Sequence, residues 1–124
     1  MEAIEYTSKL FYGKEILFRR YGGELTAENE IQMLQYAADN GLINDRVVGM
    51  VLDMSEASFN MEPGDGLKII DFTASIPLLA SLKYAIIVDT PEKIIFPLLG
   101  GIKREGHKLQ PFSTEEAAIL WVLT

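Results

Sequence analysis

The chain has 124 residues, of which 48% are hydrophobic and 23% are charged, a composition typical of one globular domain with a packed core rather than of a disordered chain. Its 18 acidic and 11 basic residues give a net charge of -7 at pH 7, which disfavours binding to nucleic acid and to anionic membrane surfaces. The lack of cysteine and the single histidine exclude disulfides, thiolate nucleophiles and Cys-ligated metal, and they fit a cytoplasmic protein.

The start of the chain predicts neither a leader nor a membrane anchor. Met1–Tyr6 carries acidic residues where a secretory signal would carry basic ones. Apolar runs such as Ala85–Val88 and Ile94–Phe96 are far shorter than the ~20 residues that cross a bilayer. We therefore expect a cytoplasmic protein without a membrane span.

A β-hairpin is the first element that the pattern indicates. Ile4–Thr7 and Ile16–Tyr21 are rich in β-branched and aromatic residues, and Tyr12–Glu15 lies between them as a turn. We expect Gly22–Gly23 to end the second strand.

A helix is predicted over Ala27–Asn40. The Thr26 hydroxyl can cap its first backbone amides, and Glu28 and Glu30 complement the positive end of the helix dipole. Gly41 can adopt the left-handed conformation that often follows a last helical turn. Apolar residues at three- and four-residue spacing indicate the buried side of the helix: Ile31, Leu34 and Ala38.

The middle of the chain predicts two covered strands separated by a loop and a helix. Val47–Asp53 and Leu82–Asp89 are nearly continuous apolar runs that each end in aspartate, as in strands buried on both faces. Ser55–Gly66 has the composition of a loop, and helical spacing follows until about Ile76, because Pro77 prevents continuation.

Beyond the second covered strand, the sequence predicts a third helix and a last strand. Thr90 and Pro91 supply a cap and a first-turn proline for the helix. Pro97 and Gly100–Gly101 make that helix short or kinked. Lys108–Phe112 then predicts a short strand.

A final helix is predicted to about Leu123. Ser113 and Glu116 have the spacing of a capping box, in which each side chain satisfies the other's backbone amide. We expect the helix to pack on the sheet through one apolar face, formed by Ala117, Leu120 and Trp121.

The alternation of strands and helices predicts one α/β domain over residues 1–124, because no linker, repeat or low-complexity tract divides the chain. We expect a mixed, mostly parallel sheet of four to five strands, opened by the hairpin and joined by connecting helices. Ligands and partners of such sheets meet the carboxyl ends of the strands. Asp53 with its following loop, and Asp89 with Thr90, should lie at that edge.

The succession of these elements resembles the STAS fold of anti-sigma-factor antagonists and sulfate-transporter cytoplasmic domains, and especially the stand-alone bacterial STAS-like domains. Each stretch alone is a common junction between a strand and a helix, so the specificity lies in their order. The stretches that carry the resemblance are Phe18–Thr26, Val51–Ser55, Ala85–Pro91 and Phe112–Trp121.

The resemblance implies a regulatory domain that acts by protein–protein contact and needs no cofactor or metal. In that family a serine or threonine at the start of the helix after the central strand is phosphorylated by a partner kinase. The corresponding stretch, Asn60–Leu67, has no hydroxyl at that place, which argues against the phosphorylation switch. Asp65 could act as a fixed negative charge there, or simply as the helix N-cap. We expect the partner-binding residues to be Ser55, Ser58, Glu62 and Asp65.

The apolar segment around residues 94–99 raises an alternative. If it is helical it is apolar nearly all round, so its outer side should contact another part of the chain, a second subunit or an apolar ligand. STAS-like domains resemble CRAL-TRIO lipid carriers in shape, which implies a pocket for a small apolar or lipid-like molecule under this helix. Its contact residues would be Ile94, Ile95, Phe96, Leu98 and Leu99.

Catalysis is the weakest of the hypotheses. Asp53 and Asp89 could pair as a hydrolase site, but the favoured interpretation is that each ends its strand and caps the following loop. His107 has no partner motif and is interpreted as a solvated loop residue.

Overall fold

Two buried stretches form the centre of the sheet, as the sequence predicts. In this computed structural model, which describes residues 3–90 and 108–124, β3 (Val47–Asp53) and β5 (Lys83–Ile87) pair in parallel. Asp53 lies opposite Ile87 in that register. The two covered strands that the sequence predicts are therefore neighbours and run in the same direction, as a mostly parallel sheet requires.

Six strands make up the described sheet. Besides β3 and β5, they are β1 (Ala3–Phe11), β2 (Lys14–Leu25), β4 (Ala57–Phe59) and β6 (Lys108–Phe112). The order in the sheet is β1-β2-β3-β5-β6, with β4 paired to β2, and only the β1–β2 pair is antiparallel.

Helices cover both faces of this sheet. Four lie within the described residues: α1 (Ala27–Asp39), α2 (Asp65–Ala74), α3 (Pro77–Ala80) and α4 (Glu115–Leu123). Side chains alternate along β3, so that Met50 and Leu52 join the core under α1, α2 and α3, while Val51 joins the core under α4. The central strands are therefore buried on both faces, which explains their continuous apolar sequence.

The start and end of α1 follow the local sequence. Thr26 accepts a hydrogen bond from the Asn29 backbone amide (3.2 Å), and the Asn29 side chain accepts one from the Thr26 amide (2.8 Å). Gly41 follows the helix with φ 72°. The predicted cap and terminating glycine are confirmed.

The hairpin and the loop after β3 differ from the prediction. β2 continues through Gly22–Gly23 to Leu25, because β4 lies beside its last residues and pairs Gly23 with Ala57. Gly23 has φ 138°, a conformation that favours glycine, so the strand bends there instead of ending. The stretch predicted as a loop over Ser55–Gly66 thus contains a short strand.

The buried side predicted for the final helix is wrong. Ala118 and Val122 face the sheet, Leu120 is 66% exposed and Ala117 is also exposed, while Trp121 is half-buried against Phe112. The sequence 117–123 is apolar all round, so it does not define a unique face, and neighbouring helical residues point about 100° apart. The cap is Thr114, which accepts from the Ala117 amide at 3.2 Å, and not Ser113.

The second predicted helix ends two residues earlier than expected, and a short helix that was not predicted follows it. α2 ends at Ala74, and α3 begins at Pro77 as a separate short helix with proline in its first turn. Leu79 of α3 is fully buried. The proline ends one helix, as predicted, and starts another.

An ion pair buried between β2 and α1 was not expected from the sequence. The Arg19 guanidinium donates to both carboxylate oxygens of Glu30, at 2.7 and 2.6 Å, and the two residues are 1% and 3% exposed. Burial disfavours the charged guanidinium, but the charge and hydrogen bonds of Glu30, together with Tyr6 and Tyr21, outweigh it, so the pKa of Arg19 lies above its ordinary value. Glu30 therefore anchors the helix to the sheet, whereas the sequence indicated only an interaction with the helix dipole.

Close approach of α4 to the sheet requires glycine at position 49. A Cβ added there would lie 2.6 Å from Val122 Cγ1 and 2.8 Å from the Lys83 carbonyl oxygen. The backbone oxygen cannot move without disturbing the β3–β5 pairing. Gly49 thus sets the distance between this helix and the sheet.

Replacing Glu30 by glutamine should destabilise the protein by about 3 to 5 kcal/mol, because it leaves the Arg19 charge buried without a counter-charge. The paired variant Arg19→Met/Glu30→Met should recover most of that loss, since an apolar pair needs no charge compensation. Urea unfolding measures both. Glu28→Gln, on the exposed side of the same helix, is the matched control and should cost less than about 1 kcal/mol. Equal losses for the two glutamine variants would refute the anchoring role.

Gly49→Ala should lower the free energy of unfolding by about 1 to 3 kcal/mol through overpacking. Gly22→Ala is the control on a neighbouring strand, because its added Cβ would come no closer than 3.6 Å to Glu56. We expect that control to stay within about 0.5 kcal/mol of the parent in the same thermal or urea measurement. Similar losses for both variants would contradict the steric explanation.

Candidate functional site

The carboxyl ends of β3, β5 and β6 are joined by backbone hydrogen bonds just beyond the strands. The Met54 amide donates to the Ile87 carbonyl at 2.8 Å, and the Val88 amide donates to the Phe112 carbonyl at 3.0 Å. Backbone hydrogen bonds therefore continue past the strand ends, at the edge where the sequence predicts the functional residues. They fix where the backbone of the next residues begins.

The carboxylate of Asp53 is engaged within the chain. It accepts hydrogen bonds from the Ser55 hydroxyl at 2.7 Å and from the Ser55 amide at 3.1 Å. The Arg20 Nε lies 3.6 Å from its other oxygen. Asp53 therefore shapes the turn into the following segment, and Ser55 is oriented by it.

A cavity of about 280 Å³, here called the edge cavity, lies at these strand ends. Its polar groups come from Ser55, Asp89 and Thr90. Asp89 and Thr90 therefore lie beside the segment that follows Asp53, at the edge of the sheet where the sequence places them. Phe59 was not anticipated there, because the sequence did not reveal β4. The other lining residues are Met54, Ala57 and Val88.

The short strand β4 presents a predicted site residue. Ser58 is exposed and lies opposite Glu24 in the register of β2, and the Asn60 amide donates to the Leu25 carbonyl at 2.9 Å. The strand pairing holds the segment against the end of the sheet, so Ser58 occupies a defined position at the surface.

The start of α2 corrects the expectation that Asp65 caps it. Gly64 is the cap residue and makes no side-chain cap bond, while Asp65 is the first helical residue. Its carboxylate accepts from the Glu62 amide at 2.9 Å and lies 3.4 Å from Lys68 Nζ. Asp65 thus closes the turn before the helix, and the exposed carboxylate of this turn belongs to Glu62.

The apolar contact residues fall in a part of the chain that the structure does not describe. Ile94, Ile95, Phe96, Leu98, Leu99 and His107 all lie outside residues 3–90 and 108–124. A separate apolar cavity between α1, α2 and the sheet, bordered by Leu34, Met61 and Ile70, measures about 40 Å³. Ligand pockets commonly measure ~300 Å³ or more, so this cavity is far smaller than a binding pocket.

Asp53 and Asp89 border two different cavities among the residues that the structure describes. Asp53 borders a charged hollow of about 110 Å³ on the α4 side of the sheet, near Lys9 and Glu115, whereas Asp89 borders the edge cavity. Within residues 3–90 and 108–124, no three acidic or histidine side chains are grouped to hold a metal ion.

A mostly parallel sheet, opened by a hairpin and carrying a short strand before the helix that follows its central strand, gives this chain a STAS-like α/β fold. The structure is similar to that of a DUF3478-family protein with a SpoIIAA-like fold from Shewanella loihica PV-4. The two share 16% sequence identity and a TM-score of 0.56, over 98% of this chain and 95% of the other. The predicted STAS-like fold is confirmed.

The anti-sigma factor antagonist SpoIIAA in its unphosphorylated form also matches, at 16% identity and a TM-score of 0.48, over 96% of this chain and 98% of the other. No family model matches the sequence of the chain, and no curated protein matches it.

None of the helices in the described part of the chain has the length and apolar character needed to span a bilayer.

Proposed function

We propose that this chain is a non-catalytic regulatory domain that acts by contact with a protein partner. The contact surface is the segment between β3 and α2, with Ser55, Ser58, Glu62 and Asp65 as its polar residues. A second copy of the chain is one partner that this role allows.

The observation that carries this proposal is the fixed geometry of that segment. Asp53 holds Ser55, the pairing of β4 holds Ser58, and Asp65 holds the turn at Glu62. A surface whose backbone is already ordered loses little conformational entropy when a partner binds. This favours recognition of a protein surface by shape and charge.

In this proposal the contact surface carries its negative charge without being phosphorylated. Asp65 stands at the first position of α2, where the helix dipole favours an anion. The resemblance to phosphorylated STAS domains suggests that Asp65 and Glu62 supply constitutively a negative charge that such domains gain from a phosphate. The partner would then carry a complementary basic patch and would bind without a kinase step.

Affinity capture from the source cells tests the role of the surface. The tagged parent chain should enrich a partner that the variant Ser58→Arg/Glu62→Lys does not, because that variant adds bulk and reverses the charge without touching the turn-closing Asp65. With the purified partner, the affinity should fall at least about ten-fold.

Asp45→Lys is the matched control, since Asp45 is exposed and precedes β3 at the opposite edge of the sheet. The control should capture the same partner as the parent chain. Capture that is equal for all three proteins, or lost in all three, would overturn the assignment of the surface. Thermal melting of each protein confirms that the substitutions leave the fold intact.

A further inference from the structure

β1 is a long strand with one side unpaired. Among the residues that the structure describes, it lies at the end of the sheet and pairs only with β2. Within Ile4–Phe11, only Tyr6 and Phe11 are partly buried, and the other side chains are exposed. Such an edge offers a row of free backbone donors and acceptors to another strand.

The hairpin turn defines which backbone groups face outward. Tyr12 and Gly13 have φ 55° and 81°, the left-handed pair of a two-residue type I′ turn. The residues that flank such a turn, Phe11 and Lys14, form a hydrogen-bonded pair, and the pairs then alternate along the strand. The even-numbered residues from Ile4 to Leu10 therefore direct their amides and carbonyls towards the free edge.

The sequence of β1 is complementary to itself when two copies run antiparallel. With Thr7 opposite Thr7, Glu5 of each strand lies opposite Lys9 of the other, and Ile4 lies opposite Leu10. All nine residues of the strand then find a partner, and the outward backbone groups of even-numbered residues meet one another. If one strand is shifted by two residues relative to the other, in either direction, Glu5 no longer faces Lys9. A shift by one residue places even-numbered residues opposite odd-numbered ones, so the outward backbone groups no longer meet.

We propose that β1 forms a homodimer interface by antiparallel pairing with β1 of a second copy of this chain, centred on Thr7. The pairing places two Glu5–Lys9 pairs at directly opposed positions, where charges of opposite sign stabilise a sheet. It also brings together Ile4 and Leu10, which are 47% and 69% exposed in the single chain. The inference rests on β1 alone and does not depend on the proposed regulatory surface.

The surface next to β1 supports a partner on this side. Tyr6 stacks on Tyr36 of α1 with ring centroids 5.8 Å apart, and Tyr36 is still 53% exposed. Ile4, Tyr6 and Tyr36 border the same surface hollow. A second strand added at the edge would place its Leu10 beside this apolar area and reduce its exposure to water.

Disulfide trapping tests the register directly, because the natural chain has no cysteine. In the proposed dimer the two Thr7 residues form a non-hydrogen-bonded pair with Cα atoms about 4.5 Å apart, within the range of a disulfide. Thr7→Cys should therefore convert to a covalent dimer under mild oxidation. Ser8→Cys is the control, because its two copies would lie diagonally, at about 7 to 8 Å. Equal rates of dimer formation for both variants would overturn the register.

Charge reversal tests the interface without a cross-link. Sedimentation should show the parent chain as a dimer of twice the 13.9 kDa monomer mass. Glu5→Lys and Lys9→Glu should each weaken the dimer on the order of ten-fold, because like charges then face each other. A mixture of the two variants should form a heterodimer, in which every opposed pair again has opposite signs.

Native mass spectrometry identifies that heterodimer by mass. A parent chain that is monomeric throughout the micromolar range, or a mixture that associates no better than its components, would refute the proposal. Thermal melting of each variant separates a change in association from a loss of fold, since Lys9 also lies 3.8 Å from Glu115 within the monomer.

Discussion

The buried Arg19–Glu30 pair is the constraint on which the packing of this domain depends. Two charges removed from water must meet each other in good geometry, because neither can remain unpaired in the core. Their two hydrogen bonds fix both the position of α1 along β2 and its rotation about its own axis. The Tyr6 hydroxyl, which donates to the Met33 carbonyl at 3.1 Å, holds β1 to the same helix.

This placement separates the two proposed interaction surfaces of the molecule. Once α1 covers one face with α2 and α3, and α4 covers the other, the central strands have no exposed face. Contacts with other molecules are then left to the ends and the outer edge of the sheet. The segment between β3 and α2 is ordered by two hydrogen-bonded turns and by the pairing of a short strand. β1 has an ordered backbone and a free edge.

The sequence predicted an element best where a single local feature, such as an apolar run or a capping side chain, determines it. Val47–Asp53 was predicted with its observed bounds, since a β-branched and apolar run bounded by turn residues has few alternatives. The bounds predicted for Lys108–Phe112 also match those of β6. Thr26 was recognised because a cap needs only neighbours in the chain. β4 was missed, because three residues stabilised by pairing with a distant strand have no periodicity of their own.

The sequence by itself determined the α/β class, the parallel alignment of β3 with β5 and the edge at which Asp89 and Thr90 meet the segment after Asp53. These follow from patterns that are local or that recur along the chain. Only the tertiary structure decided that Glu30 is buried opposite Arg19, that Asp65 closes a turn and that Ala118 faces the sheet. For Glu30 and Ala118 the outcome depends on which distant strand lies against the helix, and the spacing of residues along one helix does not contain that information. For Asp65 it depends on which of two local roles the backbone of the turn allows, since Gly64 takes the cap position.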